Sequence, residues 1–223
     1  MDGVLYDSMP HHAIAWHESM KSYGIDMPYS DAYRYEGMRG VETIQLMAFE
    51  QLHQRLTPEE AQKMYDAKSA HFASLGPAEK MEGVVDLMHK IKDSGLLIGV
   101  VTGSGQLTLL NKLGESFPGL LRREHIVTSF DVSHGKPAPD PYLMGLAKCG
   151  VLPNEAIVVE NAPLGVRAAV AAGIFTVAVN TGPLPDTMLL DEGANLIFKK
   201  MTDFRDSWEH FLSVLTSLGS IHQ

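Results

Sequence analysis

Between residues 8 and 75 the apolar positions recur at helical spacing. Ser8 and Pro10 open a segment reaching about Tyr23, with Ile14, Trp16 and Met20 among its apolar positions. A second runs from Val41 to about His53 through Ile44, Met47, Ala48 and Leu52. Thr57, Pro58 and Glu60 read as the N-cap, first-turn proline and capping-box acid of a third, which extends to about Leu75. Nothing in residues 10–76 reads as a strand. The texture changes at Gly76 and Pro77. From there short β-rich runs, at 96–102, 125–129, 156–160, 175–179 and 195–198, alternate with amphipathic stretches at 84–94, 107–116, 141–149, 163–172 and 187–192. A last helix is expected over 204–218. This alternation predicts an α/β fold built on a parallel sheet with helical crossovers. Gly3 to Tyr6 follow Met1 and Asp2 with no strand before them, where such a sheet is expected to begin with one.

Composition narrows the function classes. The chain has 223 residues, room for one domain or two, and its 45% hydrophobic and 20% charged content exclude a disordered or low-complexity protein. A net charge of −9 and a pI near 5.5 argue against a broad nucleic-acid face, which needs clustered positive charge. They leave room for a small phosphorylated substrate held by a few lysines and a divalent metal. The single cysteine, Cys149, can form no intramolecular disulfide and points to a reducing compartment. No apolar stretch reaches the roughly 18 residues of a membrane span, and no basic-then-apolar leader opens the chain. A cytoplasmic, monomeric protein with no membrane or nucleic-acid partner is the expectation.

In an open parallel sheet ligands gather beyond the carboxyl ends of the strands. There the sequence places Thr102, Gly103, Ser104 and Gly105; then Gly135, Lys136 and Pro137; then Glu160, Asn161, Ala162 and Pro163. Asp2 and Gly3 stand at the start, with Asp7 and Ser8 shortly after. Hydroxyl, amide, lysine and carboxylate groups in that order suit a phosphate and an Mg²⁺ ion, which prefers oxygen ligands. Each group also has a plain structural reading. Thr102 can cap a helix, Lys136 can be a solvated loop residue, and Glu160 and Asn161 can be turn and cap residues. Other sites find no support. Phe130 and Pro137 break a P-loop around Gly135 and Lys136, Thr108 breaks a dinucleotide fingerprint, and His11, His12 and His17 include no i, i+4 pair for zinc. Cys149, at a helix end, is expected to be packed and inert.

The stretch Asp2–Gly3–Val4–Leu5–Tyr6–Asp7–Ser8, with Val101 to Ser104, Gly135 to Pro137 and Glu160 to Ala162, resembles the four motifs of the haloacid dehalogenase superfamily. It resembles the β-phosphoglucomutase-like branch in particular, and within it the inorganic pyrophosphatases, on Tyr35–Glu36–Gly37, residues 101–107 and residues 159–165. The resemblance implies a Rossmann-like core (residues 1–9 and 77–223) carrying an inserted α-helical cap (residues 10–76). It implies a Mg²⁺-dependent phosphohydrolase that works through an aspartyl-phosphate. Asp2 would be general acid and base, Thr102, Gly103 and Ser104 would hold the phosphoryl group, and Lys136 would offset its charge. The metal would rest on Asp2 through its main-chain carbonyl, on Glu160 and on Asn161, where relatives often carry Asp. The attacking Asp of the first motif, Asp-x-Asp-Gly, has no counterpart here, because Met1 fills the x position. The natural chain is therefore expected to carry a further strand ending in Asp.

The cap is expected to choose the substrate. His12 matches a histidine of the branch that faces the site, although an exposed helix histidine is the plain alternative. Glu36 matches the pyrophosphatases' cap carboxylate, whereas sugar mutases tend to have Lys there and an Arg three residues on, where this chain has Gly40 beside Arg39. Glu36 also reads as a helix-start acid. Inorganic pyrophosphate or a small phosphate ester is the preferred substrate. β-Phosphoglucomutase activity is the rival within the class, and a non-catalytic phosphate-binding protein the rival outside it.

Overall fold

The structure is a computed structural model that describes residues 1–104 and 107–219. Gly105 and Gln106, part of the second resembling stretch, lie outside the described residues. Four helices come first: α1 (Met9–Lys21), α2 (Tyr29–Arg34), α3 (Gly40–Leu52) and α4 (Pro58–Ser74). α1 packs on α2 and α4, and α3 packs on α4. Their facing sides supply Trp16, Met20, Ile44, Met47 and Met64, and the α1–α2 connection adds Ile25 and Met27, to a core separate from that of the sheet. The capping box forms as expected. Thr57 Oγ1 accepts from the Glu60 amide at 3.2 Å, and Glu60 Oε2 accepts from the Thr57 amide at 2.8 Å. The short α2 has no counterpart in the sequence reading, because six residues of mostly polar chain after Pro28 offer no apolar period.

The rest is a wound α/β unit. After α5 (Val84–Asp93), β1 (Val100–Val101) lies parallel to β2 (Ile126–Val127), connected through α6 (Leu107–Ser116). α7 (Asp140–Cys149) leads to β3 (Ile157–Glu160), α8 (Pro163–Ala171) to β4 (Phe175–Val179), and α9 (Asp186–Leu190) to β5 (Leu196–Phe198). These three strands are also parallel, in the order β3-β4-β5. α10 (Met201–Gly219) returns to pack on α5 and β5, placing Phe204, Trp208 and Phe211 in the main core.

Two strands are shorter than their sequence suggests. Of residues 96–102 only Val100 and Val101 pair, and Leu96 and Leu97 are 42% and 52% exposed. β1 pairs on one edge only, with β2, and its other edge faces a groove. Of residues 125–129 only Ile126 and Val127 pair, since 3₁₀ turns at Arg123–His125 and Ser129–Asp131 bend the chain away on both sides. The second turn is closed by Asp131 Oδ2, which accepts from the Thr128 amide at 2.7 Å.

The helical unit joins the sheet unit through two adjacent crossings. The Asp7 amide donates to the Glu79 carbonyl at 2.9 Å, and Tyr6 bridges Lys80 in antiparallel fashion. Among the described residues no helix is long and apolar enough to cross a membrane.

Candidate active site

Topology brings the sequence-predicted groups to one rim. Thr102 follows β1, Glu160 ends β3, and Asn161 follows it, all at the carboxyl ends of parallel strands. All three are buried, as is Lys136, which is only 6% exposed. The solvated-loop reading of Lys136 therefore does not hold. Its Nζ donates to Glu160 Oε1, and it lies 4.9 Å from the centre of the Tyr142 ring. The same Oε1 accepts from the Tyr142 hydroxyl at 2.5 Å, while Glu160 Oε2 accepts from the Asn161 amide at 3.0 Å. Burial opposes the Glu160 charge, but the neighbouring Lys136 ammonium outweighs it and pulls the carboxyl down to about 2. Burial and the Glu160 carboxylate together push the Tyr142 hydroxyl well above its usual range. Tyr142 escaped the sequence reading, since nothing about one tyrosine in α7 marks it as a partner of β3. The Lys136–Pro137 peptide is cis.

Gly165, one turn into α8, makes room for this cluster. A Cβ there would lie 2.2 Å from Glu160 Cδ. Helix propensity favours alanine over glycine by about 1 kcal/mol. Gly165→Ala is nevertheless expected to lose roughly 1–3 kcal/mol of stability in urea unfolding, because the carboxylate cannot retreat. An unchanged or raised midpoint would refute the crowding.

The second cluster gathers around Asp2. Ser8 donates to Asp2 Oδ1 at 2.5 Å, so this residue, placed to cap α1, gives its hydroxyl to the site instead. His12 Nε2 stands 3.3 Å from the same oxygen, and its Nδ1 is 2.7 Å from Lys68 Nζ. With the ammonium donating into Nδ1, the ring proton belongs on Nε2, facing Asp2. Burial works against the Asp2 charge, but the hydrogen bonds of His12 and Ser8 and the positive amino terminus hold the carboxyl far below its usual range. His12 is thus no exposed helix residue: its ring stacks on Phe72 with centroids 4.1 Å apart.

Lys68, from α4, is a second residue that sequence reasoning missed. It is 3% exposed and sits over the rings of Trp16, Tyr65 and Phe72. Burial lowers its pKa to about 8, against the pull of Glu36 and Asp2. The lysine periodicity of a solvated helix face hides it; only its spacing onto the aromatic side of α4 marks it. A lowered lysine pKa means that the fold disfavours the ammonium. Below about pH 8 that penalty is present in full, roughly 3 kcal/mol, and stability climbs as pH rises from 8 towards the unfolded value near 10.5. Lys68→Met should flatten that climb, which unfolding midpoints measured at pH 7.5, 9 and 10.5 would show.

Glu36 belongs to no helix, because α2 ends at Arg34 and α3 begins at Gly40. It is not a helix-start acid but faces the site. Burial and the Asp2 charge raise its pKa, while His12 and Lys68 oppose the rise. The neighbouring cap loop presses onto the sheet unit. A Cβ on Gly37 would lie 2.9 Å from Lys136 Cδ, its carbonyl lies close against Gly103, and Arg39 Nη2 donates to the Val132 carbonyl at 2.8 Å. The cavity left between Gly37, Arg39, Thr102, Gly103, Gly135 and Lys136 is about 10 Å³, room for one water. Gly103 is exposed towards this loop, and the Ser104 amide donates to Thr102 Oγ1 at 3.2 Å. The amino nitrogen of Met1 is buried near Lys136, Asp2, Glu160 and Glu36, and burial pushes its pKa down.

The groups expected to hold a metal would all offer hard oxygens: the Glu160 carboxylate, the Asn161 amide and the Asp2 main chain. Asn161 is held where a Gly3 side chain would be, with Nδ2 only 1.9 Å from that missing Cβ. One carboxylate with neutral oxygens suits Mg²⁺, which keeps several of its waters. Among the described residues no three His, Cys, Asp or Glu side chains gather as a metal cluster. Softer metals that need His or Cys ligands fit poorly.

A parallel sheet with crossover helices, an inserted helical unit over its carboxyl rim, and a lysine–carboxylate pair beneath define a capped phosphoryl-transfer fold. The sequence model of the haloacid dehalogenase-like hydrolases matches residues 1–179, and the chain belongs to that family. It is 30% identical over 213 residues to a validoxylamine A 7'-phosphate phosphatase of Streptomyces hygroscopicus subsp. limoneus, covering 94% of each chain. It is 25% identical over 228 residues to a β-phosphoglucomutase of Bacillus subtilis, covering 95% of this chain and 94% of that one. A solved structure from Bacteroides vulgatus, described provisionally as a β-phosphoglucomutase, superposes with a TM-score of 0.92 at 51% identity. It covers 96% of this chain and 87% of that one. The β-phosphoglucomutase-like branch is thereby supported, and relatives of the chain carry out phosphoryl transfer on small phosphorylated compounds.

Proposed function

We propose that the chain is a Mg²⁺-dependent phosphohydrolase acting through an aspartyl-phosphate, with inorganic pyrophosphate as its preferred substrate. One observation supports this choice above others: Glu36 stands half-buried beside Asp2, His12 and Lys68 while the cap loop leaves only about 10 Å³ against Lys136. A compact diphosphate needs less opening of that space than a sugar phosphate, and the strongly anionic diphosphate would reach the Glu36 carboxylate through a shared divalent cation.

The roles follow from placement. Thr102 with the Gly103 and Ser104 amides binds the phosphoryl oxygens, and Lys136 offsets their charge. The attacking carboxylate would be the first Asp of the family's Asp-x-Asp-Gly motif, whose second Asp is Asp2. Asp2 carries the proton to the leaving oxygen and takes one from the incoming water, with His12 and Lys68 fixing its orientation. Glu160, Asn161 and the Asp2 carbonyl would hold Mg²⁺, which supplies positive charge against the phosphate.

The test is a panel of phosphate-release assays on the natural protein with pyrophosphate, a hexitol phosphate and β-glucose 1-phosphate, and a coupled assay for glucose 6-phosphate. Preference for pyrophosphate supports the proposal; a sugar phosphate turned over faster overturns it. Glucose 6-phosphate formed well above phosphate release would favour the mutase reading, which the two relatives described as β-phosphoglucomutases keep open. Glu36→Gln is expected to lower kcat/KM for pyrophosphate roughly tenfold more than for a sugar phosphate, the size of one charge-assisted contact made through the shared cation. Equal losses on both would remove Glu36 from substrate choice.

A further inference from the structure

The loop that leaves β4, residues 180–186, starts from the same carboxyl rim as Thr102 and Glu160 but holds no group that the mechanism uses. It is nevertheless fixed along its length. The Thr181 amide donates back to the Val179 carbonyl at 2.9 Å, a tight turn centred on Asn180. The Asn180 amide donates to the Phe198 carbonyl at 2.8 Å and so extends the pairing of β4 with β5. Its buried side chain donates to the Leu184 carbonyl at 2.8 Å and to Asp186 Oδ1 at 2.6 Å, and Asp186 Oδ2 is paired with Lys199 at 2.5 Å. Pro183 and Pro185 stiffen the chain between these staples, because their rings fix φ. Held this way, the loop is a block rather than a flexible connection.

Two neighbouring residues of this block reach two different partners. Thr181 Oγ1 donates to the Gly3 carbonyl at 2.7 Å, across 178 positions of sequence. Gly3 is buried in the left-handed region, with φ of 70°, and its amide donates to the Tyr6 carbonyl at 2.9 Å. Both polar groups of Gly3 are thus paired, as buried backbone requires. Asp2 is therefore carried on a backbone pinned at the next residue from the sheet unit, while His12, which faces its carboxyl, belongs to the helical unit. Gly182 meets that helical unit directly. A Cβ there would lie 2.5 Å from Tyr33 Cδ1 and 2.8 Å from Tyr33 Cε1, so the ring of this α2 residue rests on bare glycine. Gly182 is not in the left-handed region, so its backbone does not call for glycine; the ring does.

We propose that, with Asp2 as the acid and base of the proposed function, Thr181 is its positioning residue and Gly182 is the socket in which the helical unit seats. One stapled loop then sets the register between Asp2 and the His12 ring that orients it. Proton transfer tolerates little error in that register, since a misplacement of about 1 Å costs on the order of a hundredfold in rate. Neither residue touches a reacting group. Thr181 acts through Gly3, and Gly182 acts through Tyr33.

The test places Thr181→Val, Thr181→Ser, Gly182→Val, Tyr33→Ala and the double change Gly182→Val with Tyr33→Ala in the natural protein. Thr181→Val keeps the shape of the side chain and removes its donor. It is expected to lower kcat roughly tenfold to a hundredfold with KM nearly unchanged, and to speed hydrogen exchange of the Gly3 amide at least roughly tenfold. Thr181→Ser retains the hydroxyl and should restore both. Gly182→Val drives a side chain into the Tyr33 ring. It should raise KM and lower kcat together, because the loop bearing Glu36 and the His12 ring facing Asp2 both move with the helical unit. Trimming Tyr33 to alanine makes room, so the two changes should be non-additive in kcat/KM and in melting temperature. Unchanged Gly3 exchange in Thr181→Val overturns the positioning role, and so does Thr181→Ser behaving like Thr181→Val. Additive losses for Gly182→Val and Tyr33→Ala overturn the socket. Asp2→Asn is the reference for chemistry. If it lowers kcat and Thr181→Val does not, the positioning role is overturned. If Asp2→Asn leaves kcat unchanged, or if the natural protein releases no phosphate, the proposed function has failed, and Gly3 exchange with the melting-temperature cycle decides the two contacts of the loop without it.

Discussion

Lys136→Met is expected to remove about 3–5 kcal/mol of folding stability at neutral pH, the range for breaking a buried ion pair by deleting one partner. The Glu160 carboxylate would remain buried, with the Tyr142 hydroxyl and the Asn161 amide as its donors and no compensating charge. Glu160→Gln keeps most of those hydrogen bonds but strands the ammonium, so it too should destabilise. The double change to Lys136→Met and Glu160→Gln should recover part of the loss, because neither charge is left alone. Acid narrows the difference. In the natural chain Glu160 titrates at about 2 rather than its ordinary 4.5, so its contribution is complete above about pH 4.5 and fades as pH falls towards 2. Without Lys136 burial raises the carboxyl instead, and protonation then relieves the variant as pH falls. The gap between the two proteins should therefore narrow between pH 6 and 3 in metal-free urea titrations. A constant gap would mean that the pair does not govern this site.

The second large effect is on turnover. In the chain that carries its attacking carboxylate, Asp2→Asn is expected to lower kcat roughly 10²–10⁴-fold, the usual worth of a positioned general acid and base. The amide oxygen can still accept from Ser8 and His12, so the geometry of the second cluster survives while proton transfer does not. KM should change little, because the loss falls in the transition state. A variant with natural kcat, or one whose only change is a higher KM, would remove Asp2 from the chemistry. His12→Asn, which disconnects Asp2 from Lys68, gives a smaller loss and serves as a graded control.

Much of this site was legible in the linear chain because its parts follow strand ends. A run such as Ala156 to Glu160 announces a buried strand, and the polar residues after it fall at the carboxyl rim without further information. Thr102, Lys136, Glu160 and Asn161 were reached in this way, and all four are buried at one rim. Asp2, Ser8 and His12 were found through motif order, which the structure converts into hydrogen bonds of 2.5 and 3.3 Å. Tyr142 and Lys68 were not legible. Each lies on a helix whose own period explains it, and each gains its role from a residue on another element: Glu160 at the end of β3, 18 positions away, and His12 on α1, 56 positions away. Side chains that matter through partners distant in sequence carry no local signal.

The sequence by itself determined the class of fold, the helical insertion between the first and second motifs, the capping box at Thr57 and the residues that follow the strands. These depend on period and on neighbours a few positions apart, which act on the chain before it is folded. Tertiary structure alone decided that Glu36 turns inward rather than starting a helix. It alone decided that Ser8 spends its hydroxyl on Asp2 rather than on α1, and that the run 96–102 pairs over only two residues. Such choices compare a local hydrogen bond with one made across the fold, and which of them wins depends on what stands opposite once the elements have packed.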